Sequence, residues 1–302
     1  MLSPRTRRRI ARAAILLAAC VGVPVAPPIR TALAAPLSAD KGAAPSAEDS
    51  SPPPGIDLGK LDAFERKVFF RVVNREASAC GQGHSLLYSA KHDPSCRASF
   101  YAVRYVAHLV DSGFTDSEIS EHLDKRFRAP RVGHFDLVAA PWKGKQTARV
   151  TVVEFVDYEC PHCKIAQSLL RQVVEEYPND VKVYFKHFPL SSHTNARLAA
   201  EGAVAAHKQG KFWPYNDKVW ASSENLSPAA LEKAAKEVGL DFVLWRKEAS
   251  ADGVKDRVQA DKSEGNNLGI AATPSIYING RKYGDPLDIA SLKDWIDEEL
   301  GR

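Results

Sequence analysis

The sequence predicts an α/β domain that carries an inserted helical block and is preceded by a small three-helix module. Two strand-like runs, "ARVTVVEFVD" and "VKVYFKHFP", enclose residues with helical spacing, which is the pattern of a strand–helix–strand unit. A second helical stretch, about 194–267, separates this unit from later strand-like residues. In residues 57–130 the apolar residues recur at helical spacing throughout. Together these three patterns predict the fold class.

The N-terminus has the order of a signal peptide. Five arginines within the first 12 residues precede the apolar stretch "AAILLAACVGVPVA", and "TALAAP" offers small residues for cleavage near Ala34 or Ala35. Prolines interrupt the apolar stretch short of the roughly 20 residues that a membrane span needs. We therefore expect residues 1–35 to be removed and the protein to be exported to the periplasm. "LAAC" resembles a lipoprotein box, so lipid attachment at Cys20 stays an alternative.

The composition is that of a chain with a sizeable core, since 44% of its 302 residues are hydrophobic and 26% are charged. The formal net charge of +4 is inflated by the N-terminal arginines, and the other charges of both signs are interspersed. No basic stripe is present, so a nucleic-acid partner is not expected. Residues 36–56 are rich in Pro, Ser, Ala and Asp without apolar periodicity, and we expect a disordered linker there.

A helical module is predicted for residues 57–130, because apolar side chains recur there at helical spacing. "TDSE" predicts the start of its third helix, since Thr115 can cap the N-terminus and Glu118 lies three residues further on. The apolar positions are Leu61, Phe64, Val68 and Val72 in the first helix, Tyr101, Tyr105 and Leu109 in the second, and Ile119, Leu123 and Phe127 in the third.

The module also holds one of two cysteine pairs. When Cys20 is set aside, four thiols remain, and an even number in an exported chain favours disulfides. Cys80 and Cys96 enclose a Gly- and Ser-containing stretch between two helical patterns. This arrangement predicts a structural disulfide, which would stabilise the fold by roughly 3 kcal/mol in the chain-entropy model.

The α/β domain is predicted for residues 131–302, with the helical insertion at about 194–267. A strand–helix–strand unit makes its two strands parallel through a right-handed crossover. It places Cys160 at the carboxyl end of the first strand, where chemistry gathers in open α/β sheets. After the insertion, "PSIYI" and "RKYG" are joined by Asn279-Gly280, a strong hairpin signal. A last helix carries the apolar residues Ile289, Leu292, Ile296 and Leu300.

The stretch "CPHC" has the composition of a reactive dithiol. Cys160 is predicted at a helix N-terminus, where free backbone N–H groups and the helix dipole lower a thiol pKa. Pro161 suits the first helical turn, and His162 adds a donor or a positive charge beside the sulfur. We expect Cys160 to be exposed and attacked, and Cys163, one turn inward, to act as the resolving thiol. A zinc site is the alternative, but no second C-x-x-C or C-x-x-H completes four ligands, and no cofactor is expected.

Four stretches, "VEFVDYECPHC", "FKHFPL", "QGKFWPYNDKVW" and "LGIAATPSIYINGR", resemble the DsbA-like branch of the thioredoxin superfamily over roughly residues 131–302. The resemblance implies a thioredoxin fold with an inserted helical subdomain. The helical module is loosely similar to the small helical thiol proteins of cytochrome c maturation. Those proteins carry a close C-x-x-C, however, whereas Cys80 and Cys96 are widely spaced.

The same resemblance implies roles for three further residues. Glu154 corresponds to the buried acid of the family, which would relay a proton to or from Cys163. The alternative is an acid at a strand edge, held by Lys182 or Lys186. Thr273 and Pro274 correspond to the family's cis-proline loop, which faces the cysteine pair and binds an extended substrate.

The predicted function is that of an exported thiol–disulfide oxidoreductase that introduces disulfides into other exported proteins. Its expected partners are cysteine-containing exported proteins and an unidentified membrane protein that resets the dithiol. Two alternatives stay open. One is a periplasmic reductase or isomerase, with apocytochrome c as a candidate substrate, and the other is a peptide-binding or chaperone module without redox turnover.

Overall fold

The computed structural model of this protein describes residues 49–301. The predicted cleavage sites near Ala34 and Ala35, the candidate lipid site Cys20 and most of the predicted linker lie outside the described residues. Within residues 49–301, no helix is both long enough and apolar enough to cross a membrane.

The first part of the described chain consists of helices joined by short loops. Thr115 and Glu118 form the predicted capping box, in which each side chain bonds to the other residue's backbone N–H. A short helix inside the loop between Cys80 and Cys96 adds to the three helices predicted, because Ser85 caps its N-terminus and two leucines are buried behind the cap. The helices are α1 (Ala63–Arg75), α2 (Leu86–His92), α3 (Arg97–Asp111) and α4 (Asp116–Leu123), followed by a π-helical turn, Asp124–Arg128.

The last residues of the predicted linker, 49–56, lie against these helices. The Asp49 carboxylate accepts a hydrogen bond from Lys91 Nζ at 2.5 Å, and Ile56 is buried in the apolar core of the helices. The Pro-, Ser- and Ala-rich composition predicts disorder up to residue 56, but residues 49–56 pack against the helices. Hydrogen bonds from Lys91 and Asn74 and the buried residues Pro53 and Ile56 anchor the segment, and none of these contacts leaves a periodic pattern in the sequence.

The second part is built on a five-stranded sheet with the order β1-β3-β2-β4-β5. As predicted, the two long strands are parallel, whereas the other pairings are antiparallel. Asn279 and Gly280 both have positive φ, which is the geometry that the predicted two-residue hairpin needs. The strands are β1 (Trp142–Gly144), β2 (Val150–Val156), β3 (Val181–His187), β4 (Ser275–Ile278) and β5 (Arg281–Lys282).

Helices cover both faces of this sheet and form the insertion between β3 and β4. The helix after β2 and the last helix pack on one face, around Val152, Val183 and Trp295. The other face buries Phe155 and Tyr277. Pro228 follows Ser227, which caps its helix as predicted. The helices are α5 (Pro161–Glu176), α6 (Ala196–Lys208), α7 (Phe212–Ala221), α8 (Pro228–Glu237), α9 (Phe242–Ala249), α10 (Asp252–Asn267) and α11 (Ile289–Leu300).

A buried ion cluster joins α1–α4 to the C-terminal end of the chain. The Arg126 guanidinium, 3% exposed, donates hydrogen bonds to Asp285 (2.6 Å), Asp294 (2.9 Å) and Glu298 (3.0 Å). It also lies 4.7 Å from the centre of the Trp295 ring, on the inner side of α11. Because buried charges are tolerated only when they are paired, this cluster fixes the position of the helices relative to α11.

Candidate active site

Cys160 lies where β2 ends and α5 begins. The turn between them is held by Asp157, whose carboxylate accepts hydrogen bonds from the backbone N–H groups of Glu159 and Leu190, each at 2.7 Å. Cys160 is the N-cap residue of α5, and no side chain caps this helix. Pro161 occupies the first turn, where its missing N–H costs no hydrogen bond. The sulfur therefore sits at the uncapped, positive end of a 16-residue helix.

A loop from the far end of the chain covers this sulfur. The Thr273–Pro274 peptide bond is cis, and the Thr273 carbonyl accepts a hydrogen bond from Cys160 Sγ at 3.2 Å. Cys160 is only 7% exposed, so the expectation of an exposed attacked sulfur is wrong. The reason is this loop, which reaches the sulfur across 113 residues of sequence. A partner must therefore approach Cys160 past the Thr273–Pro274 loop.

The two cysteines of the "CPHC" stretch differ sharply in acidity. Hydrogen bonding from the Cys163 thiol is the main reason that the pKa of Cys160 falls to about 5, and the Thr273 side chain and the backbone N–H groups of Cys163 and His162 add to it. Among the described residues, the Thr273 hydroxyl has no other partner, so it is available to the thiolate. Burial, in contrast, raises the pKa of the Cys163 thiol far above its usual range. Both thiols are free in this structure.

Glu154 lies in the middle of the sheet, opposite Phe185 on β3 and Ile276 on β4. Its side chain is fully buried and accepts a hydrogen bond from the Gln167 amide. Burial, followed by the nearby Cys160, raises the pKa of Glu154 well above its usual range. The alternative of an edge acid held by lysine is wrong, because Lys182 donates to the Gln146 carbonyl and Lys186 pairs with other acids.

Glu154 also lines a small cavity behind the cysteines, together with Lys143, Gln167 and Asp217. The cavity volume is about 20 Å³, which is room for one water molecule. Among the described residues, Glu154 Oε1 has no hydrogen-bond partner, so this oxygen is free to bind such a water. The site thus contains a buried acid that can exchange a proton at the inner end of the cysteine pair.

The structure brings some of the predicted site residues together and leaves others apart. Cys160 contacts Thr273 directly and raises the pKa of Glu154, and Glu154 in turn raises the pKa of Cys163. The His162 side chain is exposed, and its backbone N–H is the part that stabilises the thiolate. Cys80 and Cys96 are bonded to each other in the helical module, with Cα atoms 5.9 Å apart. Within residues 49–301, no group of three potential ligands could hold a metal ion.

Sequence reasoning missed two residues that support the site. Gln167 binds Glu154 from α5, and its position four residues after Cys163, on the same helical face, could have indicated it. Asp157 holds the turn before Cys160 and contacts His193 Nδ1 at 2.9 Å. Nothing in the spacing of Asp157 and His193 signals this contact.

The fold and this geometry agree with comparisons to known proteins. A family model described as thioredoxin matches residues 137–298. The chain belongs to the thioredoxin family. Oxidised BdbD from Bacillus subtilis is 26% identical, with a TM-score of 0.52 over 58% of this chain and 100% of that one. The thiol-disulfide exchange protein α-DsbA2 from Wolbachia pipientis, 22% identical with a TM-score of 0.50, covers 60% of this chain and 94% of its own, and shares the fold.

These similarities confirm the predicted relation to DsbA-like proteins of the thioredoxin superfamily, and they agree with the predicted enzyme class, a thiol–disulfide oxidoreductase. The likeness of the helical module to cytochrome c maturation proteins stays a prediction. Among curated proteins, the Na⁺/H⁺ antiporter NhaA 3 of Salinispora tropica is 34% identical over 151 residues. The match spans half of this chain but only 23% of that antiporter, and similar matches to other NhaA proteins cover about a quarter of their length.

Proposed function

We propose that this protein is an exported dithiol oxidase that transfers its Cys160–Cys163 disulfide to cysteine pairs of other exported proteins. The observation that carries the proposal is the split in acidity, with the pKa of Cys160 at about 5 and that of Cys163 far above its usual range. A stabilised Cys160 thiolate favours the reduced form of the pair. A disulfide whose reduced form is favoured is a strong oxidant of other thiols.

The reaction balances as two thiol–disulfide exchanges. A substrate thiolate attacks Cys160 Sγ, the Cys160–Cys163 bond breaks, and Cys163 leaves and takes up a proton. The second substrate thiol, as its thiolate, then attacks the substrate sulfur of the mixed disulfide and displaces Cys160 as a thiolate. The substrate is oxidised by two electrons and the cysteine pair is reduced. The low pKa of Cys160 makes it a good leaving group in the second step.

Glu154 is proposed to donate the proton that Cys163 takes up when it leaves as a thiolate. Burial raises the pKa of Glu154 well above its usual range, which favours the protonated carboxyl, and Glu154 lies close enough to Cys163 to raise the pKa of that thiol when the carboxyl is ionised. Transfer to the departing Cys163 sulfur leaves Glu154 as a carboxylate, and so moves the buried negative charge away from the thiol whose burial raises its pKa far above the usual range. Thr273 and Pro274 are proposed to bind the substrate backbone as it reaches Cys160.

The stability of the reduced protein should depend on pH in a defined sense. The folded pKa of Cys160, about 5, lies below the ordinary thiol value of 9.0. The stabilisation from the thiolate is therefore fully present above about pH 9 and is lost as the pH falls through about 5. The oxidised protein has no thiolate at this position, so its stability should lack this contribution.

Titration of the Cys160–Cys163 pair against glutathione redox buffers tests the proposal. We expect the pair to be largely reduced at glutathione ratios that leave typical structural disulfides intact. An equilibrium on the reducing side would favour the reductase or isomerase, and a pair that never forms a disulfide would leave only the peptide-binding module. In cells, the oxidase needs a membrane partner that accepts electrons from the reduced pair, and covalent trapping of that partner on Cys160 is the corresponding test.

A further inference from the structure

The disulfide of the helical module presents its two sulfurs very differently. Cys80 is exposed, whereas Cys96 is 1% exposed. A thiolate can attack only the sulfur that it reaches, and the other sulfur then leaves as a thiolate. An incoming thiolate would therefore bond to Cys80 and release Cys96. Whether this exchange takes place depends on how well the surroundings of Cys96 accept a negative charge.

Buried hydroxyl groups surround the Cys96 sulfur. Ser99 Oγ lies 3.1 Å and Ser78 Oγ 3.7 Å from Cys96 Sγ. A disulfide sulfur carries no hydrogen, so the hydroxyls are the donors in these contacts. Ser99 Oγ accepts a hydrogen bond from the Ala79 backbone N–H at 3.1 Å, which leaves its own proton for the sulfur. Such bonds become stronger when the acceptor becomes an anion.

The start of α3 adds a second source of stabilisation for a Cys96 thiolate. Cys96 is the N-cap residue of this 15-residue helix, and no side chain caps it. The other helices of the module, in contrast, have side-chain caps from Asp62, Ser85 and Thr115. The first turn of α3 also has no acidic residue that would repel an anion. A released Cys96 sulfur would therefore meet unpaired N–H groups and the positive end of the helix dipole.

From these three features we infer that Cys80–Cys96 is a second redox-active disulfide, which accepts electrons from a dithiol through attack at Cys80. In the first step, one thiolate of the dithiol bonds to Cys80 Sγ, the Cys80–Cys96 bond breaks and Cys96 leaves as a thiolate. In the second step, the other thiolate of the dithiol closes an internal disulfide and releases Cys80. The dithiol is oxidised and the Cys80–Cys96 pair is reduced by the same two electrons.

A chain with Cys20→Ser, Cys160→Ser and Cys163→Ser isolates this pair, so the outcome does not depend on the proposed oxidase function. The folded full-length variant is incubated with reduced glutathione, the reaction is stopped with acid, and the peptides are analysed by mass spectrometry. We expect partial reduction without unfolding and a glutathione adduct on Cys80. A disulfide that stays intact in the folded protein at millimolar glutathione, or an adduct on Cys96, would overturn the inference.

Two buried serines provide a matched pair of further variants. Ser99→Ala removes the closest donor to the Cys96 sulfur, whereas Ser89→Ala removes an equally buried hydroxyl whose contact is Ser78 Oγ at 3.1 Å. We expect Ser99→Ala to slow adduct formation on Cys80 by about tenfold, the effect of losing one hydrogen bond to a charged group. Ser89→Ala should change the rate by less than about threefold. Equal rates in the two variants would contradict the role of the hydroxyl, and circular dichroism checks that both are folded.

Discussion

Each of the two cysteine pairs has one sulfur at the start of a helix, but the pairs differ in whether that sulfur is proposed to be attacked or released. Cys160 and Cys96 are each the N-cap residue of a long helix without a side-chain cap. In residues 131–302 the cysteine at the helix start, Cys160, is the one proposed to be attacked, and Cys163 is fully buried. In the helical module the cysteine at the helix start is the buried one, and its partner Cys80 is exposed. A helix N-terminus favours a thiolate in both pairs, and in each pair the sulfur proposed to be attacked, Cys160 or Cys80, is the less buried of the two.

The surroundings of the two pairs differ in how they manage protons. A buried carboxyl, Glu154, stands behind the pair of the thioredoxin domain and can give or take a proton. Serine hydroxyls surround Cys96 and can only donate hydrogen bonds to its sulfur without transferring a proton at neutral pH. We expect the first pair to turn over rapidly in both directions and the second to exchange more slowly.

The largest effect is expected from removing one cysteine of the thioredoxin pair. Cys163→Ala should accumulate covalent complexes between Cys160 and substrate proteins, because no internal thiol can release them. Cys160→Ala should form few complexes and lower the exchange rate by more than about a thousandfold, since the remaining thiol is buried and protonated. Non-reducing gels and an insulin-reduction assay measure both results. A Cys163→Ala protein that traps nothing would contradict the proposal that Cys160 is the attacked sulfur and Cys163 the resolving thiol.

Arg126→Met should destabilise the whole described fold by about 3 to 5 kcal/mol, because Asp285, Asp294 and Glu298 would lose their buried counter-charge. The neighbouring Lys125 supplies the control, since it pairs with Glu121 on the surface. Lys125→Met should cost less than about 1 kcal/mol. Urea unfolding followed by tryptophan fluorescence measures both. Equal free energies of unfolding for the two variants would show that the Arg126 cluster does not couple the helices α1–α4 to α11.

Replacing both Cys80 and Cys96 by Ser should lower the free energy of unfolding by about 3 kcal/mol, the value expected for closing a loop of this size. Insulin reduction by Cys160 and Cys163 should stay within about twofold of the original rate, because each pair has its own thiolate site. Thermal unfolding and the insulin assay are the measurements. A folded double variant without insulin reduction would show that the pairs work in series.

Glu154→Gln should make the protein more stable at pH 8 by on the order of 1 kcal/mol, since it removes an acid that is buried with one oxygen unpaired. The folded pKa of Glu154 is raised, so its contribution is fully present below the unfolded pKa and is lost as the pH rises through the folded pKa. The gain from the substitution should therefore vanish below about pH 4. A gain that is the same at pH 4 and pH 8 would rule out a raised pKa. Release of Cys163 should also slow down in this variant.

The smallest effect is expected from His162→Ala. Alkylation of Cys160 in the reduced protein should titrate with a midpoint at about pH 5. The substitution should raise this midpoint only slightly and shift the glutathione equilibrium by less than about tenfold, because the ring is exposed and the stabilising backbone N–H stays in place. Thiolate absorbance measures the midpoint. An unchanged midpoint would assign the acidity of Cys160 to α5 and Cys163 alone.

Local signals in the sequence were sufficient for much of the fold. The positive-φ pair Asn279-Gly280 and the capping box of Thr115 and Glu118 depend on adjacent residues, so their chemistry can be read directly. The three-residue strand β1 is too short to show a period, and β3 supplies its pairing partners. The helix α2 lies in a Gly- and Ser-containing stretch whose composition predicts a loop, so the sequence did not indicate it.

The site was predictable where the motif is local and unpredictable where distant residues meet. The position of Cys160 at a helix start follows from a strand, a proline and helical spacing within a few residues. Its low exposure results from the Thr273 loop, which comes from the other side of the helical insertion. The two hydroxyls that contact Cys96, those of Ser78 and Ser99, come from separate segments, and serine has no spacing that would indicate such a cluster.

The ion cluster of Arg126 has a consequence for the order in which this protein can fold as it is synthesised. Its carboxylate partners follow it by 159 to 172 residues, almost at the end of the chain. The helices α1–α4 leave the ribosome first, yet their arginine stays without counter-charges until α11 has been made. Domains usually fold in the order of synthesis, but here the last helix completes the first module. A nascent chain that stops before Asp285 should therefore leave α1–α4 loosely packed and open to proteases, which pulse proteolysis of stalled chains can measure.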